Sequence, residues 1–193
     1  MKWWMNLIFK VFILAGILSS WQLRAQTPAK ELSIQLGMYD FTNDLPREFY
    51  KRIPSLNLGI DFYKRKNLSF SVYTGLSYTE VDYNSRKHQL VIIPLNIMGR
   101  YKFLSNDTKI SPYFGSGVGL FYKSNNTSSL SKKIEKISYS YLLNTGFDFP
   151  IGKKIIFSID LKYVFTMETL EEEIDYSGIS PSIGIRIPIK RKP

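Results

Sequence analysis

Cysteine is absent from the 193 residues, and histidine occurs only once, at His88. Without cysteine the chain has no disulfides, no thiolate metal ligands, no cysteine nucleophile and no acylated lipoprotein-type cysteine. Beyond residue 25 no run of 18 apolar residues occurs, and the mean hydropathy is slightly negative, at -0.13. Together these two features exclude a polytopic helical membrane protein.

Apolar side chains are nevertheless plentiful. Hydrophobic residues make up 44% of the chain and aromatic residues 15%, which is enough to fold one domain and excludes intrinsic disorder. The 26 Lys and Arg residues outnumber the 16 Asp and Glu residues and give a formal net charge of +10. A basic balance of this size favours nucleic acid or an anionic surface as partner, depending on where the charges lie.

Residues 1–25 predict a secretory signal peptide. They begin with Lys2 and contain an unbroken apolar stretch from Val11 to Leu18, far shorter than the roughly 20 residues of a transmembrane helix. We expect cleavage after Ala25, which leaves residues 26–193 as the mature domain. An exported protein is not expected to bind nucleic acid.

Alternation of period two recurs along the mature chain and predicts strands. Turn-forming segments separate eight such stretches; three of the four connections at one rim are long, whereas all of those at the other rim are short. The predicted strands run from Glu31 to Asp40, Ile53 to Tyr63, Leu68 to Asn84, His88 to Phe103, Ile110 to Lys123, Ile137 to Ile151, Ile155 to Met167 and Gly178 to Ile189. This arrangement predicts an all-β fold, an eight-stranded antiparallel up-and-down barrel.

The predicted strands have one apolar face and one polar or small face; in the first, Leu32 and Ile34 alternate with Ser33 and Gln35. The fourth strand departs from this pattern, because the run from Leu90 to Ile93 leaves both of its faces apolar. The apolar faces are long enough to cross a bilayer as tilted strands. Aromatic residues gather near their ends and predict an interfacial aromatic belt. Its predicted members are Tyr39, Phe41, Tyr63, Tyr78, Tyr101, Phe103, Tyr122, Tyr139, Phe149 and Phe165. These features favour an outer-membrane barrel with lipid outside and polar residues inside. A secreted soluble lipid-binding barrel, with the apolar face turned inward, is the alternative.

The polar faces carry a nearly balanced set of charges. An eight-stranded barrel encloses only enough room for its own side chains. We therefore expect a lumenal network of ion pairs and hydrogen bonds, and no open pore. Its predicted members are Asp61, Arg100, Lys102, Asp148, Asp160, Lys162 and Arg186.

Three stretches carry a resemblance to a known family. The run from Ile92 to Phe103, the Pro-Tyr, Gly-rich run from Ser111 to Tyr122 and the hairpin from Asn144 to Thr166 resemble strands of the outer-membrane β-barrel family widespread in Bacteroidota. The resemblance implies a small barrel like those of OmpX and the OmpA anchor, with PorT-like accessory proteins of type IX secretion among the relatives. It implies no shared catalytic residues and no cofactor.

The last predicted strand looks like the signal that the barrel assembly machinery reads in outer-membrane proteins. A polar residue, a glycine two positions later and alternating hydrophobic residues form the pattern. The matching positions are Ser182, Gly184, Ile187 and Ile189. The resemblance implies the assembly machinery as a partner.

Two candidate sites are weak. His88 lies near Ser85 and Arg86, but no nucleophile motif surrounds it, so we expect no enzyme of the serine and histidine kind. The acidic segment from Glu171 to Asp175 lacks the glycine turn of a calcium loop and is expected to be solvated.

We therefore expect a small, monomeric outer-membrane barrel with a structural or surface-interaction role. Binding or transport of a small hydrophobic molecule, as in OmpW-like barrels, and a PorT-like secretion role are the alternatives. Expected partners are outer-membrane lipid and lipopolysaccharide. Basic clusters at the rim with the short turns are expected to meet phospholipid headgroups in the periplasmic leaflet. These clusters are Lys64 to Lys66, Lys153 to Lys154 and Lys190 to Lys192.

Overall fold

The computed structural model describes residues 30–65, 67–83, 86–103, 110–127, 134–152, 155–167 and 175–189. The predicted signal peptide lies outside these residues. So do Ser85, most of the acidic segment at residues 171–174, and the basic positions Lys66, Lys153, Lys154 and 190–192.

Eight antiparallel strands, each paired with the next in the chain, form a closed barrel in which the last strand also pairs with the first. This confirms the predicted fold class. The strands are β1 Lys30–Phe41, β2 Arg52–Arg65, β3 Leu68–Tyr83, β4 Arg86–Lys102, β5 Ser111–Thr127, β6 Ile134–Ile151, β7 Ile155–Met167 and β8 Gly178–Ile189. The prediction was least accurate around the β5–β6 connection, because β5 ends at Thr127 rather than Lys123 and β6 begins at Ile134 rather than Ile137.

A short helix, α1 (Asp44–Tyr50), occupies the connection between β1 and β2, where we expected a loop. The side chain of Asn43 caps it by accepting a hydrogen bond from the Leu45 amide at 3.1 Å, and Pro46 lies in its first turn, where proline is tolerated. These capping signals were present in the sequence, but seven residues are too few to show a helical period. Within the described residues, no helix is long and apolar enough to cross a membrane.

The two rims of the barrel differ. With an even number of strands, both ends of the barrel domain lie at one edge, here called the terminal rim, together with the turns β2–β3, β4–β5 and β6–β7. The opposite edge is the loop rim and carries α1. Strands β3 to β6 have 16 to 18 residues and the others 12 to 14, and the extra length of β3 and β4 extends the wall at the loop rim. In outer-membrane barrels the longer loops face outward and the short turns face the periplasm.

The outer wall of the barrel is apolar. Leu36 is 62% exposed, Ile97 58% and Val118 58%, as expected where lipid replaces water around the strands. The soluble alternative required the opposite orientation. One part of the predicted aromatic belt was wrong: Tyr39 and Phe41 point into the barrel and are buried, because they share the inward parity of Gln35.

Candidate functional site in the lumen

All seven charged residues predicted for the lumen project inside the barrel. They lie in its middle and in the half next to the terminal rim, here called the polar half. Each is at most 5% exposed. Charges this deep are stable only when other charges and hydrogen bonds surround them, so their partners define the site.

Asp61 on β2 and Arg100 on β4 form one ion pair. The Arg100 Nη2 lies 2.7 Å from Asp61 Oδ2, and Arg100 Nε donates to Ser69 Oγ at 3.3 Å. Asp148 on β6 is shared by two cations, with Lys102 Nζ at 2.5 Å and Arg186 Nη1 at 3.2 Å.

Asp160 on β7 is the junction of the network. Its carboxylate accepts hydrogen bonds from the Tyr113 hydroxyl and from Gln35 Nε2. Asn144 Nδ2 lies 3.3 Å and Arg186 Nη2 3.4 Å from the same carboxylate. Because these five residues belong to five different strands, the junction ties opposite walls of the barrel together.

Tyr113 links the two halves of the ion-pair network. The guanidinium groups of Arg100 and Arg186 lie over its ring, each 5.0 Å from the ring centroid, and Arg186 Nη2 donates to its hydroxyl at 3.0 Å. Cation–π contacts of this kind gain strength where water is excluded.

Lys162 is held by neutral groups, although we expected it to form an ion pair. Its Nζ donates to Gln35 Oε1 at 2.6 Å and to Ser182 Oγ at 2.9 Å, and it lies 5.0 Å from the centroid of the Tyr73 ring. No described carboxylate oxygen lies within 4.0 Å of it. Neutral acceptors and a π face therefore stabilise this cation.

The sequence analysis missed several members of the network. Glu31 is 2% exposed and pairs with Lys64 Nζ at 2.5 Å; its parity with Gln35 could have identified it. Tyr113, Gln35 and Asn144 were missed because the prediction counted only charged side chains.

The proposed assembly residues lie on both faces of β8. Ser182 and Gly184 face the lumen, whereas Ile187 and Ile189 are 38% and 47% exposed on the lipid face. Gly184 also meets β1 closely, because a Cβ there would lie 2.3 Å from the Ile34 carbonyl oxygen. The last-strand pattern thus coincides with the closing seam, and its role in assembly stays a prediction.

The half of the lumen next to the loop rim is mostly apolar, which corrects the expectation of a polar plug throughout; here called the apolar half, it also contains the buried Lys123, whose Nζ lies 4.1 Å from the centroid of the Tyr176 ring. Leu90 and Ile92 explain the apolar run on both faces of β4, because both are 0% exposed inside the barrel. Tyr50 of α1 covers this cluster from above. The buried hydrophobic cluster consists of Tyr39, Phe41, Tyr50, Ile53, Tyr73, Leu90, Ile92, Met98, Phe121, Leu142, Val164 and Tyr176. Tyr73 and Met98 lie at its boundary with the polar half.

A cavity of about 10 Å³ lies within the polar half, lined by residues that include Tyr73, Asn144 and Lys162. That is close to the volume one water molecule requires. Asn144 Oδ1 has no hydrogen-bond partner among the described residues, and such a water could satisfy it.

The wall beside the apolar half has an interruption between β3 and β4. The ladder pairs Thr74 with Leu95 and Ser77 with Ile92, but not the positions between them. Pro94 lies in this gap and has no amide hydrogen to donate. Its carbonyl instead accepts a hydrogen bond from Thr74 Oγ1 at 3.0 Å. Opposite it is Gly75, where a Cβ would approach Asn57 Oδ1 to 2.5 Å. We call this gap the β3–β4 seam.

His88 lies among aromatic rings at the loop rim. Its ring is 4.9 Å from that of Phe49 and 6.4 Å from that of Tyr83. Over the described part of the chain, no group of three or more His, Asp or Glu side chains could hold a metal ion.

Comparison with known proteins gives one family. A sequence profile described as the OmpW family matches residues 55–182. No curated protein sequence matches significantly.

Several solved structures share the fold. Neisserial surface protein A has a TM-score of 0.65 at 14% identity, over 83% of this chain and 97% of that chain. OprG of Pseudomonas aeruginosa has a TM-score of 0.62 at 11% identity, over 86% and 98%. The outer membrane protein W of E. coli has a TM-score of 0.50 at 10% identity, over 86% and 100%. At these identities the likeness shows the fold alone.

The family match and these structures confirm the broader part of the sequence resemblance, a small barrel of the outer membrane. Kinship within Bacteroidota and with secretion accessories stays a prediction, as does the absence of enzymatic activity.

Proposed function

Because this chain belongs to the OmpW family, we propose that its outer-membrane barrel admits small apolar molecules from outside and releases them sideways into the bilayer. The observation that carries this proposal is the division of the lumen. Hydrophobic side chains predominate in the half that opens toward the loop rim, which also contains the buried Lys123, whereas buried ion pairs close the half toward the periplasm.

The polar half blocks a straight path through the barrel. A small apolar molecule reaching this layer would have to break ion pairs and hydrogen bonds centred on Asp148 and Asp160. It cannot replace those interactions, and leaving buried charges unpaired costs several kcal/mol. An apolar guest is therefore stable only in the apolar half.

The exit we propose is the β3–β4 seam. Pro94 is buried on the lumenal side, and its partner on β5, Phe121, belongs to the apolar half. Gly75, opposite, has no side chain of its own, so only the Asn57 side chain that lies over it would have to move for a guest to pass. A second interruption, near Pro181 between β1 and β8, is a poorer candidate. The ring of Tyr39 fills its lumenal side, and the Tyr39 hydroxyl donates to the Tyr176 carbonyl at 2.7 Å.

Entry requires α1 to move. This helix covers the apolar half with Tyr50, and Phe49 packs against His88 at 4.9 Å. A seven-residue helix has little stability of its own, so displacement of α1 would expose the apolar half to a guest.

Locking the seam tests the proposal. The chain has no native cysteine, so the double variant Leu76→Cys/Ile93→Cys can place one disulfide across it. We expect oxidised cells carrying this variant to take up a small apolar fluorophore such as N-phenylnaphthylamine several times more slowly than wild type. A reductant should restore the rate.

The matched control is Leu36→Cys/Leu56→Cys, a directly opposed lipid-facing pair between β1 and β2. Its disulfide should leave uptake unchanged. Equal uptake by the oxidised and reduced seam variant, with disulfide formation verified, would contradict the proposed exit.

A structural or surface-interaction role is the second candidate. The dense packing of the lumen favours it, since Ile53, Leu90, Ile92, Phe121 and Leu142 are each 0% exposed. Equal rates of fluorophore uptake in a wild-type strain and in a strain lacking this protein would favour this role over transport.

A further inference from the structure

A basic cluster lies on the outer wall of the barrel where the lipid-facing surface ends. Asp40 and Arg52 are opposite each other on β1 and β2, one pair beyond Tyr39 and Ile53. Alternation places Asp40 and Arg52 outward, in line with the pairs Met38–Pro54 and Leu36–Leu56. The Asp40–Arg52 pair lies two residues, about 7 Å along the strand, beyond the lipid-facing pair Met38–Pro54. This position puts the cluster at the headgroup level of the outer leaflet.

One carboxylate orients two arginines in this cluster. Asp40 Oδ2 lies 2.9 Å from Arg52 Nε, and Asp40 Oδ1 lies 3.5 Å from Arg47 Nε at the centre of α1. Both arginines contact Asp40 through Nε. Among the described residues, their Nη groups donate no hydrogen bond. Paired Nη groups are the donors that bind a phosphate in bidentate fashion.

Lys51 adds a third cation. It follows α1 with φ 56° and ψ -144°, a strained backbone conformation for a non-glycine residue. Asp40, Arg47, Lys51 and Arg52 line an open cavity of about 390 Å³. Three cations and one carboxylate give this cavity a formal charge of +2. The outward-facing Glu80 on β3 does not reduce it through a salt bridge, because Lys87 binds Glu80 at 2.8 Å.

We infer that Arg47, Lys51 and Arg52 form a binding site for the phosphate of a phosphorylated glycolipid in the outer leaflet. The chemistry recognised is a phosphate monoester, and the lipid-facing wall directly beneath the cavity selects one that carries acyl chains. The charge, the free Nη groups and the position at the end of the lipid-facing wall all point to the same ligand.

The test measures lipid binding to the folded protein in detergent by native mass spectrometry. The probes are phosphorylated lipid A, the same lipid A with its phosphates removed, and inorganic phosphate. The variant Arg47→Gln/Arg52→Gln removes two charges from the cluster. Arg86→Gln/Lys136→Gln removes the same charge elsewhere on the loop rim and leaves the Glu80–Lys87 pair intact, and heat-modifiable gel mobility verifies the fold of each.

We expect phosphorylated lipid A to bind wild type and the control equally and to bind Arg47→Gln/Arg52→Gln at least tenfold more weakly. Lys51→Gln, an exposed single substitution, should cause a smaller loss in the same direction. Equal weakening by the control would overturn the inference, since it would show attraction to any charge at the rim. So would equal binding of dephosphorylated lipid A, or binding of inorganic phosphate as tight as that of the lipid.

Discussion

Breaking the Asp61–Arg100 pair should destabilise the barrel far more than breaking an equally short pair on its surface. The two side chains are 6% and 3% exposed and 2.7 Å apart. Removing one partner leaves the other charged and unpaired inside the barrel, which lowers the free energy of unfolding by about 3–5 kcal/mol. With an m-value of about 2 kcal/mol per molar urea, Asp61→Ala should lower the unfolding midpoint by roughly 1.5–2.5 M.

The surface comparison is Glu80 with Lys87, at 2.8 Å and with side chains 32% and 63% exposed. Exposed pairs of this kind contribute about 0–1 kcal/mol, so Glu80→Gln should shift the midpoint by less than about 0.5 M. Urea titration in detergent micelles, read by the mobility of folded and unfolded protein on cold gels, measures both.

A third variant separates charge burial from packing. Asp61→Leu/Arg100→Met replaces the pair with apolar side chains, and such replacements are often neutral or stabilising. We expect it to be more stable than Asp61→Ala. The reasoning would be refuted if Asp61→Ala cost no more than Glu80→Gln, because the lumen would then be hydrated enough to solvate Arg100.

Two further predictions concern the closing seam and the loop rim. Gly184→Ala should destabilise the barrel, because the new Cβ would lie 2.3 Å from the Ile34 carbonyl oxygen. The measurement is the thermal unfolding midpoint, read by gel mobility, of protein refolded in the absence of the assembly machinery. A lower midpoint under these conditions reports a packing defect and not the loss of recognition by that machinery. Hydrogen bonds from Lys87 and Gln89 hold the pKa of Glu80 below its ordinary value. The resulting stabilisation is present above that ordinary value and is lost as the pH falls through the lowered pKa. Lys87→Gln should therefore raise the pKa of Glu80 in an NMR titration, and an unchanged pKa would contradict the hydrogen-bond assignment.

Strand number, strand faces and most of the inward charges could be predicted from the sequence, because alternation is a local property. In a closed barrel, parity alone decides whether a side chain meets lipid or lumen. Asp61 and Asp160 could thus be placed inside without knowing which strands lie opposite them.

The partners of these charges could not be predicted. That Asp160 meets Gln35 depends on the tilt and stagger of strands far apart in sequence, which alternation does not encode. The division of the lumen was missed for a related reason. Leu90 and Ile92 were recognised as apolar on the lumenal side, but only the assembled barrel brings Phe121 and Leu142 to the same level.

The pairing of β1 with β8 has a consequence for how the protein is made. Lys30 pairs with Ile189, 159 positions later (189 - 30), so the contact that removes the last open edge has nearly the largest sequence separation that the domain allows. Folding limited by such distant contacts is slow. Until β8 arrives, the amide and carbonyl groups along one side of β1 are exposed to any other strand. We therefore predict that an assembly factor must shield that edge before β8 arrives, and that the protein refolds from urea only where detergent or lipid takes over this role.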